Sequence, residues 1–201
     1  MDIDVAAERL IRSKRILVLG SSGSGKTTLS LRLASLLRVK AIHLDSLFWR
    51  AGWSPTPRSE WLEIVESIVR EDEWIMDGTY ESSLSRRIPA AEAAIVLYRS
   101  RWACLRNVLR RKLATDDARR PDAPPGQPVD MAFVKYIWNY PRVTQPLVDD
   151  LLARHGPHLT TVRLYGAGDV RRLVAAVARS QSGLSDSDGR PADSRVLRNR
   201  H

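Results

Sequence analysis

A glycine-rich run placed between a short apolar stretch and a helical leucine pattern constrains this chain more than any other feature. Ile16 to Leu19 is apolar and β-favouring and ends at Gly20; SSGSG follows, and leucine then recurs at helical spacing through Leu29, Leu33, Leu36 and Leu37. Gly20, Ser21, Ser22, Gly23, Ser24, Gly25, Lys26 and Thr27 fit G-x-x-x-x-G-K-[ST] at every fixed position, in the strand, loop and helix setting that the pattern requires. Glycines let the backbone turn and approach an anion closely, so that consecutive N–H groups and the positive helix end surround a phosphate. Lys26 adds a point charge towards the β and γ phosphates, and the Thr27 hydroxyl can ligate magnesium. A mere Gly/Ser linker gives no reason for lysine and threonine at a helix start, where acidic residues are favoured.

Beyond the loop, apolar runs alternate with helical patterns. Residues 39–44, 73–76, 93–98 and 159–164 read as further strands, with 93–98 buried on both faces. A helix follows Thr56 and Pro57, with Thr56 as N-cap and Trp61, Ile64, Val65 and Ile68 on one face. Residues 100–114 form a basic helix, 130–153 a helical stretch broken near Pro141 and Pro146, and 169–178 a final helix. Parallel neighbours need crossover connections, so the expected class is an α/β sandwich around a parallel sheet. At 201 residues and 43% hydrophobic, the chain suits one compact domain over residues 1–180. Residues 115–128, rich in proline, read as a mobile loop, and 181–201 as a disordered tail.

In a parallel sheet, ligands gather at the carboxyl ends of the strands. Two aspartates end apolar runs there. Asp77, closing WIMD before Gly78, is placed to hold magnesium through water, or else is an Asp-Gly turn residue. Asp45, closing AIHLD, can take a proton from an acceptor hydroxyl or bind the acceptor; its plainer reading is a capping or turn residue. Trp49 and Trp53, with Phe48, either line an acceptor pocket or close a small subdomain. No histidine has metal-ligand spacing with a partner, so His43, His155 and His158 read as structural.

Thirty-two Lys and Arg against 23 Asp and Glu give a net +9, which draws the chain to polyanions. Residues 99–120 hold eight basic and two acidic residues, so +6 lies there. Arg106 and Arg110, four apart, share a helix face and can converge with Arg99 on an oligophosphate as parts of a closing lid. Nucleic-acid binding is the rival use of this helix, with Trp102, Tyr136, Trp138 and Tyr140 as stacking surfaces, although such aromatics are more often core. The single cysteine, Cys104, permits no internal disulfide, and no apolar run reaches the ~18 residues of a membrane span. A cytoplasmic protein without membrane partners is expected.

Taken together, GSSGSGKT, AIHLDSLFWRAGW, WIMDGTY, the arginines around Tyr98 and RRPD resemble the P-loop kinases related to adenylate kinase, in particular the topology modulation proteins. The resemblance covers residues 14–178. It implies a five-stranded parallel sheet ordered 2-3-1-4-5, a small acceptor-binding insert after the second strand and an Arg-rich lid over about residues 100–130. It also implies that Gly20 to Thr28 hold the ATP phosphates, that Asp77 assists magnesium, that Arg106 and Arg110 face the lid-side phosphates and that residues 165–168 lie near the adenine. Tyr98 departs from the acidic residue that many relatives carry there, and the lid has no zinc-binding cysteines. The expected activity is transfer of the γ-phosphoryl group of ATP to a small-molecule acceptor, with Lys26, Asp45, Arg106 and Arg110 in the catalytic machinery. The alternative is an ATP-binding regulator that acts on nucleic acid.

Overall fold

The computed structural model describes residues 2–113, 124 and 126–188. Five parallel strands, β1 (Arg15–Gly20), β2 (Ala41–His43), β3 (Trp74–Asp77), β4 (Ala93–Leu97) and β5 (Thr160–Leu164), form one sheet in the order β2-β3-β1-β4-β5. This is the α/β architecture and strand order implied by the resemblance. β1 lies at the centre because both its faces are apolar, and its side chains alternate between the two halves of the core. Ile16 and Val18 enter the cluster formed with α1 (Ile3–Leu10), α2 (Lys26–Leu37) and α9 (Ala167–Asp188). Leu17 and Leu19 enter the opposite one, with Trp61, Val65, Leu84 and Val148 from α4 (Arg58–Val69), α5 (Glu81–Arg87) and α8 (Thr144–His155). The sheet is thus the middle of three layers, and every strand C-terminus points to one edge.

Several boundaries differ from the sequence pattern. The second strand stops at His43, and Leu44–Phe48 form a one-turn helix, α3, so Asp45 lies in a helical first turn rather than at a strand end. Thr56 does not cap α4: its hydroxyl donates to the Leu47 carbonyl at 3.2 Å and its amide to Phe48 at 2.8 Å, which closes the aromatic segment, and Pro57 takes the cap position. Only one of the two expected proline breaks exists. Pro141 lies between α7 (Met131–Asn139) and α8, whereas Pro146 sits in the first turn of α8, where no intrahelical N–H is needed. The final helix runs from Ala167 to Asp188, so the expected disordered tail begins as helix; residues 189–201 lie outside the described residues. Most of the expected mobile loop, with Arg119 and Arg120, lies outside them too.

α1 is an addition to the sequence pattern. Asp2 caps it by accepting from the Asp4 amide at 2.8 Å, and Ala6, Ala7 and Leu10 are buried against α9. No helix among the described residues is long and apolar enough to cross a membrane.

Candidate functional site

The phosphate loop joins β1 to α2 at the sheet's carboxyl edge. Gly25, in the left-handed region at φ 100°, is the N-cap of α2, makes no side-chain cap bond, and is followed by a first turn without acidic residues. The first amides of α2 and its positive end are therefore not taken up by a capping side chain, which is what an anion-binding helix start needs. Lys26 folds back over the loop, its Nζ donating to the carbonyls of Gly20 and Ser21 at 2.9 and 3.0 Å. An ammonium group has three donors, so one remains for a phosphate oxygen.

Two ties fix the loop from outside. Thr79, after β3, donates its hydroxyl to the Gly20 carbonyl at 3.0 Å and accepts from the Gly20 amide at 3.3 Å. With that proton committed, the Tyr140 hydroxyl is the donor in its 3.1 Å bond to Thr79. On the other side, Asn107 of α6 (Arg101–Leu113) donates to the Gly23 carbonyl at 2.9 Å. The contact is close. A Cβ on Gly23, which has φ 75°, would lie 2.4 Å from the Cys104 carbonyl oxygen. Gly23→Ala is expected to destabilise the fold by about 2 kcal/mol and to weaken ATP binding, because α6 and the loop must part. Thermal unfolding and an ATP titration of the variant check both effects.

Two cavities meet at Lys26. One, about 480 Å³, is lined by residues 22–23 and 25–28 of the loop, by Asp45 and by Asn107, Arg110 and Arg111. The other, about 590 Å³, extends from Ser22, Lys26 and Asp45 into the aromatic segment, with Phe48, Trp49 and Trp53 on one wall and Phe133 and Tyr136 of α7 on another. Asp45 faces both and accepts a 2.6 Å bond from the Tyr80 hydroxyl. Burial, then the Asp45 carboxylate, pushes the Tyr80 hydroxyl far above the ordinary tyrosine range, so Tyr80 remains a proton donor to Asp45.

Not every expected residue reaches this place. Lys26, Thr27, Thr28, Asp45 and Arg110 line the first cavity, but Arg106 is exposed and lines neither. Arg111 lines the cavity in its stead and donates to Gln127 at 2.6 Å. Asp77 is buried and lines neither cavity: its Oδ2 lies 2.9 Å from Nδ1 of His43, so its carboxylate is engaged within the sheet. Tyr165 lines neither cavity and stacks on Tyr98, with ring centroids 4.8 Å apart. The expected aromatic surface is divided, since Tyr140 is buried, Tyr136 lines the second cavity, and Trp102 and Trp138 meet edge to face on the outside.

Three contributors were given no role by the sequence: Tyr80, present only as the last residue of the WIMDGTY motif, and Asn107 and Arg87, which had no signal. Arg87 is fully buried and donates to the carbonyls of Gly78, Thr79 and Tyr80 and to the Ser83 hydroxyl, which holds the β3–α5 turn against the site. Burial pulls its pKa down to about 9, so it stays charged at neutral pH. Arg87→Leu leaves those carbonyls without donors and is expected to cost about 3 kcal/mol or more, read as a lower denaturant midpoint.

The described residues contain no group of three His, Cys, Asp or Glu side chains able to hold a metal ion. That donor set still fits magnesium, which keeps waters and binds through one or two protein oxygens plus phosphates. The Thr27 hydroxyl is such an oxygen on the cavity wall.

No protein-family model and no curated protein matches this chain. Solved structures do. Shikimate kinase from Acinetobacter baumannii in complex with shikimate aligns over 90% of this chain and 98% of its own, with 15% identity and a TM-score of 0.58. Shikimate kinase from Bacteroides thetaiotaomicron aligns over 86% of this chain and 99% of its own, with 15% identity and a TM-score of 0.51. The chain has the P-loop kinase fold these proteins share, with the phosphate loop at the same carboxyl edge of the sheet where its two cavities open.

Proposed function

We propose that this protein is a magnesium-dependent kinase that transfers the γ-phosphoryl group of ATP to a hydroxyl of a small molecule. The observation that carries the reading is the meeting of two cavities at Lys26 and Asp45: one walled by phosphate-binding backbone and arginines, the other by aromatic rings. A donor and an acceptor held in them would face each other at those two residues.

The loop amides and Lys26 hold the triphosphate, and Arg110 and Arg111 set positive charge along the same wall. Asp45 takes the proton of the acceptor hydroxyl as its oxygen attacks phosphorus, while Tyr80 fixes the carboxylate. Thr27 would hold magnesium, with Asp45 within the same cavity; when bound, the ion neutralises charge on the β and γ phosphates. Asp77 contributes by fixing His43 at the end of β2. Catalysis is positioning and charge neutralisation, with the aromatic wall keeping water from the attacking oxygen.

A screen of nucleosides, nucleoside monophosphates and small alcohols for acceptor-dependent ADP release tests the proposal. One class of hydroxyl compound is expected to raise ADP release well above the acceptor-free rate. Release that no acceptor raises would sink it.

A further inference from the structure

We infer that the aromatic cavity takes an ammonium-bearing ligand, so that the phosphoryl acceptor is a cationic alcohol with an apolar body rather than a phosphate ester or a carboxylate. This rests on the kinase reading only for the word acceptor; the charge preference stands on the cavity itself.

The cavity lining carries charge of one sign wherever it departs from the phosphate loop. Its described residues include three carboxylates, Asp45, Glu81 and Asp130, and a single cation, Lys26. Lys26 belongs to the loop, with two of its three protons on the Gly20 and Ser21 carbonyls. Asp45 and Asp130 are pinned in place, the first by the Tyr80 hydroxyl at 2.6 Å and the second as N-cap of α7, accepting from the Phe133 amide at 2.8 Å. Glu81 lies in the first turn of α5, within the field of the fully buried Arg87, which does not itself line the cavity. Three carboxylates lining one cavity repel an anionic acceptor and attract a cation.

The rings supply the second half of the argument. Phe48 packs on Tyr80 with centroids 4.7 Å apart, and Trp49 on Trp53 at 5.4 Å, so both pairs form one apolar wall. Phe133 and Tyr136 approach from α7. Electron-rich ring faces combined with carboxylates recognise ammonium groups, and quaternary ammonium ions in particular. The arginines that an anionic acceptor would need, Arg110 and Arg111, line the neighbouring cavity, on the phosphate side. The basic excess of α6 is therefore spent on the donor, and the acceptor side is acidic.

The test uses two probes of similar size and opposite charge, benzyltrimethylammonium and phenylacetate, titrated calorimetrically into the full chain. Neither carries a hydroxyl, so binding is read without phosphoryl transfer. Benzyltrimethylammonium is expected to bind at least about tenfold more tightly, a preference that Glu81→Gln combined with Asp130→Asn cuts about fivefold. Asparagine keeps the helix cap, and MgATP affinity in the same preparations reports whether the variant has folded. Equal or tighter binding of phenylacetate, or binding of neither probe by the unmodified chain, overturns the inference and leaves the kinase reading standing. Cation preference without acceptor-stimulated ADP release in the screen above supports the inference and removes the kinase reading.

Discussion

Lys26→Ala is expected to lower ATP turnover roughly 10²- to 10³-fold, the effect of removing one pre-organised charge from a transferring group. The ammonium group is held before any phosphate arrives, by the Gly20 and Ser21 carbonyls at 2.9 and 3.0 Å, so it costs little reorganisation when the reaction begins. The fold should survive. Lys26 is only partly buried, it begins α2, and alanine is the best helix former, while the two released carbonyls keep other donors, the Thr79 hydroxyl for Gly20 and the Ser24 amide for Ser21. ADP release by purified variant, with circular dichroism to show intact secondary structure, decides the matter. Turnover equal to the unmodified protein would mean that the loop binds no reacting phosphate.

The contrast between what local pattern specified and what it missed follows from the range of the forces involved. The phosphate loop was legible because its function is written in consecutive residues: a turn, a close approach and a helix start all demand particular residue types in order. The aromatic segment after β2 was legible for a related reason, since Phe48, Trp49 and Trp53 adjoin Asp45 in the chain and line the same cavity in space. The arginines of α6 show the limit. Spacing puts Arg106 and Arg110 on one face, but it cannot say how that face is turned about the helix axis; the Asn107 bond to Gly23 sets the rotation and brings Asn107, Arg110 and Arg111 to the cavity. Asp77 shows the same limit. Its place at a strand end is local, yet its engagement depends on His43, which lies 34 residues away and reaches it only through the β2–β3 pairing. Arg87 and Tyr80 act through backbone carbonyls and a carboxylate that no periodicity announces.

Asp45→Asn separates the two roles open to that carboxylate. Asparagine has the same shape and its side-chain oxygen can still accept from the Tyr80 hydroxyl, so the α3 turn, the cavity wall and ATP affinity should be retained. What it loses is the capacity to take a proton. Transfer to an alcohol needs that capacity as the attacking oxygen bonds to phosphorus, and a positioned base contributes roughly 10²- to 10⁴-fold, so kcat with a hydroxyl acceptor should fall by about that factor while KM for ATP changes little. Transfer to a phosphate oxygen needs no such base, because the nucleophile is already an anion. The variant therefore reads the chemistry of the acceptor from the enzyme's side: kcat collapses for an alcohol and holds for a nucleoside monophosphate. An undiminished rate with the best alcohol from the screen would show that Asp45 only binds, and the proton must then leave to water or to the phosphoryl group itself. The acidic, aromatic character of the second cavity argues for the first outcome, since a site that repels phosphate has no use for a nucleophile that carries one.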